Sequence, residues 1–153
     1  MIINWDEYFM GVAKLSSLRS KDPATQVGAC IVNCDKRIIG IGYNGFPYNC
    51  SDDEYPWEKE GNFCKTKYPY VVHAEANAIL NSTQSLKGAT LYVTLFPCNE
   101  CAKLIIQSQI KEVVYVSNKH KDTDSYIAAC RMFKSSHIKL RQMKDFRVSV
   151  ENV

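Results

Sequence analysis

Two short pieces of the chain carry side chains whose types and spacing could do chemistry together: His73-Ala74-Glu75 and, further on, Pro97-Cys98-Asn99-Glu100-Cys101. Zinc prefers nitrogen and sulfur donors, and a catalytic zinc site uses three protein ligands and keeps one position open. His73, Cys98 and Cys101 offer an imidazole and two thiols. A C-x-x-C at the start of a helix brings both sulfurs to one point, and the helix dipole favours their thiolate form. Water in the open position becomes acidic near neutral pH. Glu75 stands next to one ligand without being a ligand itself. It is then a carboxylate placed to carry protons between that water and a bound substrate.

Taken singly, neither piece is specific. A lone C-x-x-C can be a redox pair or half of a structural zinc site, and His and Glu are ordinary surface residues. The combination favours a catalytic metal. Structural zinc calls for a further Cys or His at matching spacing, and Cys30, Cys34, Cys50, Cys64 and Cys130 form no second pair of that kind. Cys30 and Cys130 read as buried core thiols, the common fate of free cysteine.

These side chains converge only if the surrounding chain supplies elements to hold them. Trp5, Tyr8, Phe9, Val12 and Ser16 recur at helical spacing, which predicts an amphipathic helix over 4–20. Ser20-Lys21-Asp22-Pro23 ends it, since proline disfavours helix in the residue before it. Residues 27–32 (VGACIV) are continuously apolar, as in a strand buried on both faces. Residues 33–37 form a turn, 37–43 an antiparallel partner strand, and Asn44-Gly45 a closing turn. The stretch 44–70, with Pro47, Pro56 and Pro69, is the least regular part, and so long a loop is usually functional or mobile. Within it Trp57, Phe63 and Tyr68 read as packing or loop anchors.

Beyond that loop the chain alternates: helix over 72–81, strand 89–94, helix 98–109, strand 112–116, helix 123–135 and a last strand over 138–143. Asp122, Thr123 and Asp124 are candidate caps for the last helix. The order αββαβαβαβ predicts an α/β fold, a three-layer α/β/α arrangement around a central mixed five-stranded sheet, with right-handed βαβ crossovers.

The chain has 153 residues, which suits one domain over 1–153. Hydrophobic residues at 46% and charged residues at 23% are ordinary for a globular protein. The net charge of +3 is scattered, without the basic run expected of a nucleic-acid binder, and still fits a small anionic ligand. Asp6 and Glu7 come too early for a signal peptide, and no apolar run is long enough to span a bilayer. Seven cysteines without a secretory signal point to a reducing compartment, the cytoplasm, with the nucleus as an open alternative.

The pattern extends well past the two motifs. RSKDPATQVGACIVN at 19–33, GIGYNGFP at 40–47, CSDD at 50–53, KYPYVVHAEANAI at 67–79 and LFPCNECAKLIIQ at 95–107 belong to it. Over roughly residues 4–145 the chain resembles the deoxycytidylate (dCMP) deaminase family of eukaryotic and viral type, within the cytidine-deaminase-like superfamily. The zinc motif alone is shared with tRNA adenosine, guanine, cytosine and riboflavin-pathway deaminases; the flanking pieces are more specific.

The resemblance implies a cytidine-deaminase-like fold and hydrolysis of dCMP to dUMP and ammonia, feeding thymidylate synthesis. It implies one catalytic Zn2+ per chain on His73, Cys98 and Cys101. Glu75 would take a proton from water, pass it to pyrimidine N3 and then protonate the departing amino group. Asn44 is implied to hold the substrate sugar, beside the plainer reading of Asn-Gly as a turn. Ser20, Lys21 and His120 are the candidates for phosphate. The segment SNKHKDTD at 117–124 departs from the family's SDKYHDSD-like pattern, with His120 in place of a tyrosine. His120 reads equally as a phosphate contact, stronger when protonated, or as a solvated loop residue. Gly45, Phe46, Pro47, Asp52 and Asp53 are implied to line an effector site. Also implied is a homohexamer activated by dCTP with Mg2+ and inhibited by dTTP. Its partners would be nucleotides and its own copies, with no nucleic acid and no membrane. The second, structural zinc of some phage members is not reproduced by the remaining cysteines. Two other readings stay open at this point: a base deaminase acting on RNA, which should concentrate basic charge, and a non-catalytic zinc module closed by four protein ligands.

Overall fold

Five strands form one sheet in the computed structural model, which describes residues 1–153. They are β1 (Gly28–Val32), β2 (Ile38–Tyr43), β3 (Thr90–Leu95), β4 (Glu112–Ser117) and β5 (Lys139–Gln142), in the order β2-β1-β3-β4-β5. β1 pairs antiparallel with β2 and β3, whereas β3–β4 and β4–β5 are parallel, so the sheet is mixed as expected. Parallel neighbours need a crossover. The helices α3 (Asn99–Gln107) and α4 (Asp124–Ser135) supply the two, and α1 (Trp5–Ser17) and α2 (Ala74–Asn81) complete the set.

Alternate side chains of a strand face opposite sides of its sheet, and both sides are covered. Ala29, Ile31, Leu91, Val93 and Val113 share one core with Ala74 and Ala78 of α2, Ile105 of α3 and Phe133 of α4. Cys30, Val32, Tyr92, Val114 and Val116 meet Phe9, Met10 and Ala13 of α1 on the other side. The result is the expected three layers, with α1 alone on one face. It also explains why β1 shows no polar alternation: every residue of it is buried.

α1 departs from the spacing argument. Its buried residues are Phe9, Met10, Ala13 and Ser17, while Trp5 and Tyr8 are 54% and 45% exposed. The cause is close approach to the sheet. A Cβ on Gly28 would fall 1.8 Å from the Ala13 carbonyl oxygen, so the face carrying Ala13 seats on β1 and the large rings line its rim beside Phe9. The helix opens on a capping box between Asn4 and Glu7. It stops at Ser17, short of Ser20, in a tight turn in which the Ser20 N–H donates to the Ser17 carbonyl.

The same close seating fixes α2. A Cβ on Gly42 would stand 2.4 Å from both the Ala74 carbonyl oxygen and the Ala78 nitrogen. The helix therefore rests directly on the backbone of β2. Asn77 and Asn81 then donate to the Tyr43 and Ile41 carbonyls at 2.7 and 2.8 Å. Three smaller expectations need correction. Cys30 is fully buried, and burial pushes its thiol up to about 12, but Cys130 is only half-buried at the edge of the helical core. Trp57 does pack, against Phe46 with ring centroids 4.1 Å apart. Phe63 and Tyr68 remain 67% and 56% exposed, and the Tyr68 ring lies 6.0 Å from the Lys67 ammonium rather than packing in the core.

Candidate active site

His73 is the N-cap residue of α2 and Cys98 the N-cap residue of α3. Both have extended backbone just ahead of the helix, so their side chains project past its end. The His73 ring makes no capping bond and is left free. Its Nδ1 lies 3.4 Å from the Cys98 Sγ and 3.5 Å from the Cys101 Sγ. The three donor atoms all lie within 4.8 Å of one another, and no further Cys, His, Asp or Glu atom completes the cluster. A tetrahedral zinc with ordinary bond lengths separates its nitrogen and sulfur ligands by about 3.6 Å. Donor types and spacing therefore fit zinc, with one position left for something other than protein.

The Cys101 thiol and backbone N–H both point at the Cys98 sulfur, and with His73 they pull the Cys98 thiol down to about 4. The neighbouring Cys98 sulfur, together with burial, pushes Cys101 up, and Cys98 raises His73. The protons these groups share are the ones a metal displaces on binding. Glu75, in the first turn of α2, is 4% exposed. Burial pushes its carboxyl up to about 7, where a group gives and takes protons with equal ease.

His73, Glu75 and Cys98 line a cleft of about 460 Å³, within the usual range for small-molecule sites. Val27, Leu95 and Phe96 give it apolar walls, and the exposed side chains of Lys59, Lys119 and His120 stand at its rim. Asn44 is in the wall, 5% exposed. Its Oδ1 accepts from the Val27 N–H at 2.8 Å, and its amide nitrogen donates to the Thr25 carbonyl at 2.9 Å.

Ser20 and Lys21 do not line the cleft. The Ser20 hydroxyl accepts from the Asp22 N–H at 3.3 Å. Lys21 points outward to Asp52 at 2.7 Å, a hydrogen bond that raises its ammonium. Gly45, Phe46, Pro47, Asp52 and Asp53 also lie off the cleft lining. Gly45 exchanges backbone hydrogen bonds with Val72, and Phe46 packs among Tyr55 and Trp57. The cleft adds residues that sequence reasoning missed: Asp22, Lys59, Lys67 and Lys119. Asp22 and Lys67 form a buried ion pair at 2.6 Å. Burial pushes the Asp22 carboxyl up, but Lys67 and the Ala24 and Thr25 N–H groups outweigh it and leave the group below the usual carboxylate range. A lysine written in a sequence carries no mark of burial; the one hint was its place in the aromatic stretch leading to His73.

The family described as the cytidine and deoxycytidylate deaminase zinc-binding region matches residues 3–117. The chain is 56% identical over 142 residues to a deoxycytidylate deaminase of Homo sapiens, covering 92% of this chain and 80% of that protein. It is 55% identical over 147 residues to a probable deoxycytidylate deaminase of Drosophila melanogaster, covering 92% and 72% respectively. Among solved structures, a dCMP deaminase from cyanophage S-TIM5 in complex with dCMP and dUMP aligns at a TM-score of 0.73 and 27% identity, over 94% of this chain and 99% of that one.

Proposed function

Because the chain belongs to the cytidine and deoxycytidylate deaminase family, we propose that it hydrolyses dCMP to dUMP and ammonia. The observation that carries the reading is the open cluster of one imidazole and two thiols, which meets the cleft through His73 and Cys98 beside a buried carboxyl. His73, Cys98 and Cys101 would hold zinc, which supplies a Lewis acid able to make water nucleophilic near neutral pH. Glu75 takes a proton from the attacking water and delivers it to the pyrimidine N3. It then takes the remaining proton from the new C4 hydroxyl and passes it to the exocyclic amino group, so that the C4 carbonyl forms as ammonia leaves. A carboxyl raised toward neutrality suits both directions of transfer. The apolar walls keep bulk water from competing for those protons.

Asn44 holds the sugar from the wall. The phosphate reading moves to the rim side chains Lys59, Lys119 and His120, because Ser20 and Lys21 are engaged elsewhere. Residues 1–153 act as one deaminase domain. The resemblance around the motifs further supports a cytoplasmic homohexamer, with dUMP passing to thymidylate synthesis. It also supports effector control, with dCTP and Mg2+ activating and dTTP inhibiting. The effector segment would be Gly45, Phe46, Pro47, Asp52 and Asp53, off the cleft and tied to Lys21 through Asp52. No helix is long and apolar enough to cross a membrane.

Ammonia release from cytidine, CMP, dCMP and dCTP, with and without dCTP or dTTP as effector, tests the reading. The expected result is turnover greatest with dCMP and about one zinc per chain. Glu75→Ala should retain the metal and lose turnover by about 10²–10⁴-fold or more. Full activity in that variant, or a zinc-loaded protein inert toward every cytosine nucleotide, would overturn it.

A further inference from the structure

The ion pair on the cleft wall has no part in the chemistry above. Asp22 and Lys67 are 4% and 8% exposed, and both line the cleft. Desolvating two ions is costly, and a well-packed apolar pair of similar volume is often as stable. Stability alone therefore does not account for this pair, and its hydrogen bonding says more.

The Asp22 carboxylate is fully engaged. Its Oδ1 accepts from the Ala24 and Thr25 N–H groups at 2.8 and 3.2 Å. Its Oδ2 accepts from Lys67 Nζ at 2.6 Å and from Asn44 Nδ2 at 3.4 Å. Asn44 can be oriented only one way. The Val27 N–H must meet the amide oxygen and the Thr25 carbonyl must meet the amide nitrogen. Both amide hydrogens are then taken, by Thr25 and Asp22. All that Asn44 has left for a ligand is the second lone pair of Oδ1, an acceptor. Lys67 is its complement: the ammonium has three protons and uses one on Asp22, its sole hydrogen-bond partner in the protein. The Asp22 charge cancels that of Lys67, so this wall is not an anion trap like the Lys59 and Lys119 rim. Both side chains meet the same carboxylate oxygen, which sets a donor and an acceptor side by side. A group that satisfies both at once is a hydroxyl.

We propose that Lys67 is a second sugar-binding residue beside Asn44. Lys67 donates to the oxygen of the nucleotide 3′-hydroxyl, Asn44 Oδ1 accepts its proton, and Asp22 is the positioning residue that orients both. This rests on the dCMP deaminase reading, because the 3′-hydroxyl is the one free hydroxyl of a deoxynucleoside 5′-monophosphate.

The test compares kcat/KM for dCMP and for 2′,3′-dideoxycytidine 5′-monophosphate, in the zinc-loaded wild type and in Lys67→Met, Lys67→Arg and Asp22→Asn. Wild type should prefer dCMP by about 10- to 1,000-fold, since the analogue leaves buried polar groups unpaired. Lys67→Met should lose on dCMP and change by less than about threefold on the analogue, so that the preference collapses. Asp22→Asn should follow it, with the loss falling more on KM than on kcat, and Lys67→Arg should recover part of the preference. Equal losses on both substrates would mean a structural role and overturn the proposal. So would a wild type indifferent to the 3′-hydroxyl, a result that stands even if a variant fails to fold. Wild type inert toward dCMP would instead overturn the underlying reading.

Discussion

Replacing Gly42 by alanine tests whether bare backbone on β2 sets the position of α2, and with it His73 and Glu75. The added Cβ would stand 2.4 Å from the Ala74 carbonyl oxygen and 2.4 Å from the Ala78 nitrogen, where ordinary contact begins at 3.4 Å. The overlap is therefore about 1 Å, and both obstacles are helix backbone, so no rotamer change relieves it. Overpacking of this kind costs about 1–3 kcal/mol. For a domain of this size that lowers Tm by about 2–12 °C. Ala74 lies between His73 and Glu75, so the displacement reaches the metal ligand and the proton carrier directly. A misplacement of about 1 Å at a reacting centre costs about 10²-fold in rate. Gly42→Ala should thus fold, melt several degrees lower, and release ammonia from dCMP about 100-fold more slowly. Gly40→Ala is the control. Its Cβ would meet the Ala78 carbonyl at 2.5 Å, one turn farther from the site, so it should lower Tm comparably with a much smaller effect on kcat. Unchanged Tm and kcat in Gly42→Ala would refute the argument, as would a larger loss of kcat in Gly40→Ala.

Other consequences follow from the packing and charges. Arg141 holds the Asp6 carboxyl below the usual carboxylate range, chiefly by its hydrogen bonds, with Tyr92 assisting. A depressed carboxyl stabilises the fold above the usual range and loses that contribution as pH falls through its folded value. Urea unfolding should therefore show Arg141→Met less stable than wild type near neutrality, with the gap closing on acidification; a gap independent of pH would exclude the mechanism. Leu91, fully buried at the centre of the sheet, should cost about 2–5 kcal/mol as Leu91→Ala in the same assay, and a loss below about 1 kcal/mol would show that the core refills. If the rim cations bind phosphate, Lys59→Met with Lys119→Met should raise KM for dCMP and flatten its salt dependence while leaving deoxycytidine turnover alone. A parallel change for both substrates would remove the phosphate assignment.

The elements of the fold were legible because each depends on neighbours in sequence. The unbroken apolar run of β1 announces burial on both faces, and the strand–helix alternation after residue 89 announces parallel pairing. The cap at Thr123 uses a bond spanning three residues. What failed was the side of α1 that seats on the sheet. Trp5 and Tyr8 fit the helical period as well as Phe9 does, and only the bare Gly28 beneath Ala13 decides between them. Where Lys21 points was illegible for a related reason: its partner Asp52 lies 31 residues away and meets it only once the loop is folded.

By itself the sequence determined the donor chemistry of the metal cluster and the local backbone that presents it, because residue types and N-cap conformations are local properties. The tertiary structure alone decided that His73 meets Cys98 and Cys101 across separations of 25 and 28 residues. It alone decided that Glu75 is buried beside them and that Lys67 finds Asp22 across 45 residues. Those distances follow from strand order and from how closely each helix seats on the sheet, and burial and ion pairing follow from them in turn. No local pattern encodes such approaches, since each is set by two segments that the chain itself does not place side by side.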